Sequence, residues 1–152
     1  MVYRASDDGA DPAAEPETVA VDRVVDGDTA KVFYRGTSEY VRYIGIDTPE
    51  VGADGQCFGE EATEANESLL GDGEVELKFG PELRDRFGRL LAYVYVNDVM
   101  LNAELLRGGF AETLTISPND AFSARFDQIE AEAEKAGRGL WGACSRPAED
   151  GL

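Results

Sequence analysis

Five short runs of alternating apolar and polar residues, each closed by a turn signal, lie between Thr18 and Val96 and constrain the fold more than any other feature. In Thr18–Val25 the series Val19, Val21, Arg23, Val25 follows the period of two of a half-buried strand. Asp26-Gly27-Asp28 supplies a turn into a second strand, Thr29–Tyr34, and Arg35-Gly36-Thr37-Ser38 turns the chain into a third, Tyr40–Ile46. Pro49 ends that strand because it brings no N–H to a ladder. A loop containing Gly52, Asp54 and Gly55 follows. Glu74–Phe79 and Arg89–Val96 read as the fourth and fifth strands, with a charged loop at Gly80–Gly88 between them and a tight turn at Asn97-Asp98.

Helical spacing appears in three places. Gly59–Leu70 carries Ala62, Ala65 and Leu69 on one face and stops at Gly71-Asp72-Gly73. Met100–Arg107 reads as a short helix ending at Gly108-Gly109. Ser117-Pro118 predicts the start of a third, with Ser at the N-cap and Pro at the first helical position. Phe122, Phe126, Ile129, Ala133 and Ala136 then recur at helical spacing up to Gly137, and Leu140 and Trp141 pack the tail against the body. This order predicts an α+β fold, a five-stranded Greek-key β-barrel with three packed α-helices, binding along one strand face and in its loops. The expected organisation is a flexible acidic leader at 1–17, one domain at 18–144 and a frayed tail at 145–152, in a monomer. No apolar run is long enough to span a membrane, and Met1 to Asp8 lack the apolar segment of a signal peptide.

Charge argues at first against a nucleic-acid partner. Thirty-one acidic residues face fourteen basic ones, only three of them lysine (Lys31, Lys78, Lys135), for a net charge of −17. Such a surface repels itself and polyanions alike. Adaptation to high salt is one reading, because screening over a few Å removes most of that repulsion; it predicts stability and activity that rise with added KCl. Histidine is absent and neither cysteine sits in a CxxC pair, so zinc is not expected. Cys57 and Cys144 are either two separate thiols or one disulfide. The disulfide reading favours an extracellular or cell-envelope location.

Three segments carry chemistry: Asp26-Gly27-Asp28-Thr29, Arg42 through Glu50, and Asp85-Arg86-Phe87-Gly88-Arg89. Each alone is weak, since an Asp-Gly-Asp is usually a turn and a lone Arg is usually solvated. Jointly they say more. Asp28 and Asp47 lie at the ends of neighbouring strands and could converge. Two carboxylates, a backbone carbonyl and water suit Ca²⁺, which accepts irregular oxygen cages. A spare carboxylate and two arginines complete what hydrolysis of a phosphodiester needs.

These segments, with Gly59-Glu60-Glu61-Ala62, Leu91 to Tyr95, Asn102 to Ala111 and Gly139-Leu140-Trp141, resemble the thermonuclease family of staphylococcal nuclease-like domains. The resemblance runs from about Val19 to Trp141. It implies an OB-fold barrel and Ca²⁺-dependent cleavage of DNA and RNA leaving 3′-phosphates. Asp28 and Asp47 are then carboxylate ligands of Ca²⁺, and Thr48 offers its backbone carbonyl. Glu50 is the general base for the attacking water, and Arg42 and Arg89 bind the scissile phosphate. Arg86 and Phe87 fall where substrate is bound. Phe87 stands where the family often has tyrosine, and Thr113-Leu114-Thr115-Ile116 lacks the aromatic residues that can flank a base. A catalytically silent OB-fold module binding nucleic acid or a protein is the alternative. It has no need of the full set Asp28, Arg42, Asp47, Glu50 and Arg89. A Ca²⁺-binding surface domain has no use for Arg42 and Arg89.

Overall fold

Strand pairing closes the sheet on itself. In the computed structural model, which describes residues 14–52 and 55–144, the sheet order is β3-β2-β1-β5-β6-β7 and β3 also pairs with β6. The elements are β1 (Glu17–Asp26), β2 (Thr29–Tyr34), β3 (Thr37–Tyr43), β4 (Gly45–Asp47), α1 (Gly59–Leu70), β5 (Glu74–Arg84), β6 (Leu90–Val96), β7 (Val99–Met100), α2 (Leu101–Arg107), β8 (Glu112–Leu114), α3 (Ser123–Ala136) and α4 (Leu140–Ala143). Neighbours are antiparallel except β3 and β6, whose parallel contact at Val41–Tyr43 against Leu90–Ala92 seals a five-stranded mixed barrel. With three packed helices of seven residues or more this is the α+β OB-fold. The short β4–β8 ladder lies outside it. The tail at 145–152 and all but the last four residues of the leader fall outside the described residues; β1 begins at Glu17, the leader's last position.

The alternation of two sorts β2, β3, β5 and β6 between core and surface, whereas register shifts after Val21 and Val24 interrupt it in β1, where Arg23 is exposed and Val24 packs against the core. Ala30, Val32 and Tyr34 of β2, Val41 and Tyr43 of β3, Val75 and Leu77 of β5, and Leu90, Ala92 and Val94 of β6 fill the barrel. Each such aliphatic side chain contributes roughly 1.5–3 kcal/mol on leaving water. The intervening Lys31, Phe33, Tyr40 and Arg42 face outward. Leu101, Leu105 and Leu106 of α2 and Phe126, Ile129 and Ala133 of α3 cover the barrel. Asn102 is fully buried among them: its Oδ1 accepts from Val94 N–H at 2.9 Å and its Nδ2 donates to Ile44 O at 2.8 Å, joining β6 to the exit of β3. Cys57 and Cys144 form a disulfide with Cα atoms 5.8 Å apart, tying the approach to α1 to the end of α4.

Four expectations need correction. The third strand does not run unbroken to Ile46. Gly45 takes φ of 84°, and β4 leaves the barrel to pair with β8; a side chain there would meet the Phe126 ring 2.6 Å from its Cβ. The fourth strand runs past Phe79 to Arg84, with a register irregularity against β6, so the charged loop shrinks to the turn at 85–89. Ser117-Pro118 starts no helix. Its peptide bond is cis, Asn119 N–H donates to Ile116 O at 3.0 Å, and Ser117 Oγ donates to Asp120 Oδ2. Asn119 also pairs with both backbone groups of Glu82, so a tertiary bond to β5 replaces the first helical turn and α3 begins at Ser123. Finally, the deepest positions of α1 are Ala62, Asn66 and Leu70, with Ala65 and Leu69 half-buried, and Ala136 of α3 is exposed.

Candidate active site

Register gathers the first carboxylates. Thr29 on β2 lies opposite Arg42 on β3, so the β1–β2 turn holding Asp28 stands over the Arg42 side chain. Asp28 is buried, and its Oδ2 accepts from both Thr48 N–H at 2.9 Å and Thr48 Oγ at 3.1 Å. Its Oδ1 accepts from Thr29 Oγ at 3.0 Å. Arg42 lies beneath with both terminal nitrogens of its guanidinium engaged. Nη1 donates to Tyr43 O and Ile46 O at 2.9 and 2.8 Å, and Nη2 lies 3.4 Å from Asp28 Oδ2 and 3.3 Å from Asp47 Oδ1. One nitrogen therefore bridges the two carboxylates, and the carbonyl bonds fix its aim.

Negative charge exceeds positive here. Burial raises the Asp47 pKa, Arg42 lowers it, and the charges of Asp28 and Glu50 raise it further. Asp28 and Asp47 flank one guanidinium, and Asp26 and Glu50 lie within electrostatic reach of them, so the cluster has a deficit of positive charge. Among the described residues no three acidic or thiol side chains converge closely enough to cage an ion by themselves. The groups at this end of the barrel, Asp28, Asp47 and the backbone of Thr48, offer oxygen donors only. That chemistry and that charge deficit fit a hard divalent cation.

The turn after β5 presents the second arginine. Asp85 Oδ1 accepts from Phe87 N–H and Arg89 N–H at 2.9 Å each, and its Oδ2 accepts from Arg89 Nε at 2.7 Å. Burial pushes the Asp85 pKa up, but the Arg89 and Phe87 donors outweigh it and hold the carboxyl below its usual range. Arg89 and Arg42 line one cleft of about 190 Å³ together with Asp85, Glu82, Leu91, Leu114 and Ile116. Phe87, 69% exposed, projects near its rim with the Arg86 and Arg89 guanidiniums 5.0 and 5.5 Å from its ring centroid.

Glu50 is placed differently. It is exposed and lines a separate depression with Gln56, Glu60 and Glu61 rather than the arginine cleft. Its backbone is clamped by Gln56, whose Oε1 accepts from Glu50 N–H at 2.9 Å and whose N–H donates to Glu50 O at 2.8 Å. Gly59 opens α1 against the same carbonyl; a Cβ there would stand 2.2 Å from Glu50 O.

Several supports escaped the sequence reading. Thr48 holds Asp28 through both amide and hydroxyl. Asp85 aligns Arg89. Asn66 of α1 is fully buried, accepts from Tyr43 Oη at 2.8 Å and donates to Asp26 O at 2.8 Å, fastening the β1–β2 turn to the barrel. Asp26 accepts from Asp28 N–H at 3.1 Å, and burial together with the Asp28 charge pushes its pKa up to about 6. Asp26 and Asp85 sit in the singled-out segments. For Asn66, a polar residue on the inner face of a helix was the available signal.

An OB-fold barrel with paired carboxylates and an arginine at the exit of β3 defines the class. The sequence comparisons agree with it. Residues 40–143 match the family model described as staphylococcal nuclease homologue, and the chain belongs to that family. It is 40% identical to the SPbeta prophage-derived endonuclease YokF of Bacillus subtilis (strain 168) over 128 residues, covering 81% of this chain and 43% of that protein. It is 38% identical to endonuclease YncB of the same organism, covering 81% and 61%. With the thermonuclease of Staphylococcus intermedius it shares 36% identity, over 82% of this chain and 76% of the relative. The chain therefore spans about half the length of the two Bacillus relatives.

Proposed function

We propose that the chain is a Ca²⁺-dependent nuclease that hydrolyses phosphodiester bonds of DNA and RNA and leaves 3′-phosphate ends. The observation that carries this reading is the Arg42 guanidinium, which bridges Asp28 and Asp47 at 3.4 and 3.3 Å and shares one cleft with Arg89. Asp28, Asp47 and the Thr48 carbonyl would hold the cation. When bound, it supplies positive charge against a phosphoryl oxygen and lowers the cost of presenting a hydroxide-like nucleophile.

The remaining work falls to the chain's own residues. Arg42 and Arg89 bind the scissile phosphate, and their forks gain most where charge grows on its oxygens. Their bonds to Asp85 and to the Tyr43 and Ile46 carbonyls hold them in place before substrate arrives, so little reorganisation is needed. Glu50 takes the proton of the attacking water as the water oxygen bonds to phosphorus. The bond from phosphorus to the 5′ oxygen breaks, and that oxygen leaves with a proton from solvent. Arg86 and Phe87 hold the substrate strand at the rim. The disulfide suits an oxidising compartment, outside the cell or in its envelope. No helix among the described residues is long and apolar enough to cross a membrane.

The test is incubation with plasmid, single-stranded DNA and RNA across KCl concentrations, with Ca²⁺ or with chelator. Cutting that stops on chelation supports the reading. Binding without cutting, indifferent to Ca²⁺, supports a silent OB-fold module instead. Because the molecule is strongly anionic, the usual fall of affinity with salt should be flat or inverted.

A further inference from the structure

The outer face of β1, β2 and β3 carries groups that the cleavage chemistry leaves unused. Lys31 on β2 lies opposite Arg23 on β1 and Tyr40 on β3, so the three form one row across the sheet. Phe33 occupies the next row, opposite Ser38 and diagonal to Tyr40. Diagonal neighbours of this kind lie about 7–8 Å apart. Both rings are open to solvent, Phe33 at 48% and Tyr40 at 44%, whereas Val32, Tyr34 and Val41 beside them are buried. The Lys31 ammonium stands 4.7 Å from the Tyr40 centroid and covers one ring face.

Two further observations single this face out. Arg42 follows Tyr40 by two residues, so it projects from the same face roughly 7 Å along the strand. The row of Lys31 and Tyr40 is thus the first one met on leaving the Asp28–Arg42 cluster. In addition, neither Arg23 nor Lys31 takes part in an ion pair among the described residues, while Arg35, Arg42, Arg84, Arg89 and Arg107 all do. Asp22, which accepts from Ser38 Oγ at 2.7 Å, lies beside them, and Glu74 of β5 follows Ala20 at the far end of the Phe33 row. On a molecule of net charge −17, two unpaired cations beside two open rings make a local surface complementary to an anionic strand with exposed bases.

We propose that this face is a track for single-stranded nucleic acid beyond the bond being cut. Phe33 and Tyr40 stack unpaired bases, and Lys31 and Arg23 meet the phosphates between them. A duplex cannot use the rings, because its bases are stacked on one another. The proposal rests on the nuclease reading above and adds a preference of that site for long unpaired strands.

The test compares wild type with the double variant Phe33→Ala/Tyr40→Ala on two substrates, a long single-stranded oligonucleotide and a dinucleotide too short to leave the cleft. Both side chains are exposed, so the variant folds, and its melting temperature checks this. Stacking of one to two bases predicts a KM for the long strand raised roughly 10- to 100-fold, with kcat and dinucleotide cleavage unchanged. Lys31→Gln/Arg23→Gln should raise the same KM and flatten its salt dependence. A long-strand KM equal to wild type in both variants overturns the track. If wild type cuts neither substrate, the nuclease reading fails. The track is then decided by equilibrium binding of the labelled long strand, which the double variant must weaken by a similar factor.

Discussion

Thr48 grips Asp28 twice through one oxygen: its N–H and its hydroxyl both donate to Asp28 Oδ2, at 2.9 and 3.1 Å. A buried carboxylate oxygen cut off from water needs protein donors in its place, and here they come from the residue whose carbonyl completes the proposed ligand set. Thr48→Val removes one donor and keeps the shape. It should cost about 1–3 kcal/mol in urea unfolding and raise the Ca²⁺ concentration for half-maximal cleavage. Thr48→Ser should restore both. A valine variant with unchanged Ca²⁺ response would separate Thr48 from the metal site.

Glu50→Gln and Arg89→Lys should each lower kcat on DNA at least about 100-fold. Glu50 is exposed, so its variant should melt with wild type. Lysine at position 89 cannot keep the Asp85 contact and reach a phosphate as a fork. Near wild-type turnover by either purified variant would remove its assigned role.

Asp26 makes metal-free stability depend on pH. Its carboxyl titrates at about 6 when folded against 3.8 when exposed. Between these values the folded chain keeps a proton that the unfolded chain has lost, so stability falls as pH rises through that window and levels off above it. Asp26→Asn keeps an acceptor for Asp28 N–H. It should be more stable than wild type at neutral pH, by on the order of 1 kcal/mol once solvent screening is allowed for, and equal to it near about pH 3. Urea titrations in chelator across pH measure this, and parallel curves for the two proteins would contradict it.

The Cys57–Cys144 bond spans 87 residues of chain. Cys57→Ser/Cys144→Ser should lower stability by about 2–4 kcal/mol, chiefly by freeing the unfolded chain. Calorimetry with and without reductant checks this: wild type under reductant should melt with the double variant.

The legible part of this molecule is its periodic part. Val32, Val41 and Val94 announce their strands because a half-buried strand imposes a period of two. Asp28, Arg42 and Asp47 could be brought together in thought because they end neighbouring strands. What escaped depends on distant partners. Asn66 bonds to a carbonyl 40 residues away and Asn102 to one 58 residues away, and neither bond leaves a local pattern. Ser117-Pro118 carries a sound helix-start signal, but Asn119 pairs with Glu82, 37 residues away, and the turn wins. Gly45, where the third strand breaks, lies against Phe126, far along the chain, and leaves no space for a side chain. Gln56 looked like loop, and only its two bonds to Glu50 reveal it as a clamp.

The claim on which the functional reading depends is that Asp28, Arg42 and Asp47 form one cation-dependent centre. The most direct measurement is the rate of single-stranded DNA cleavage against Ca²⁺ concentration for wild type and for Asp47→Asn, which keeps the oxygen facing Arg42 and removes the charge. A saturable Ca²⁺ response in wild type, displaced to roughly tenfold or higher Ca²⁺ in the variant, is the predicted result. Superimposed curves, or cleavage indifferent to Ca²⁺ in both proteins, would contradict it.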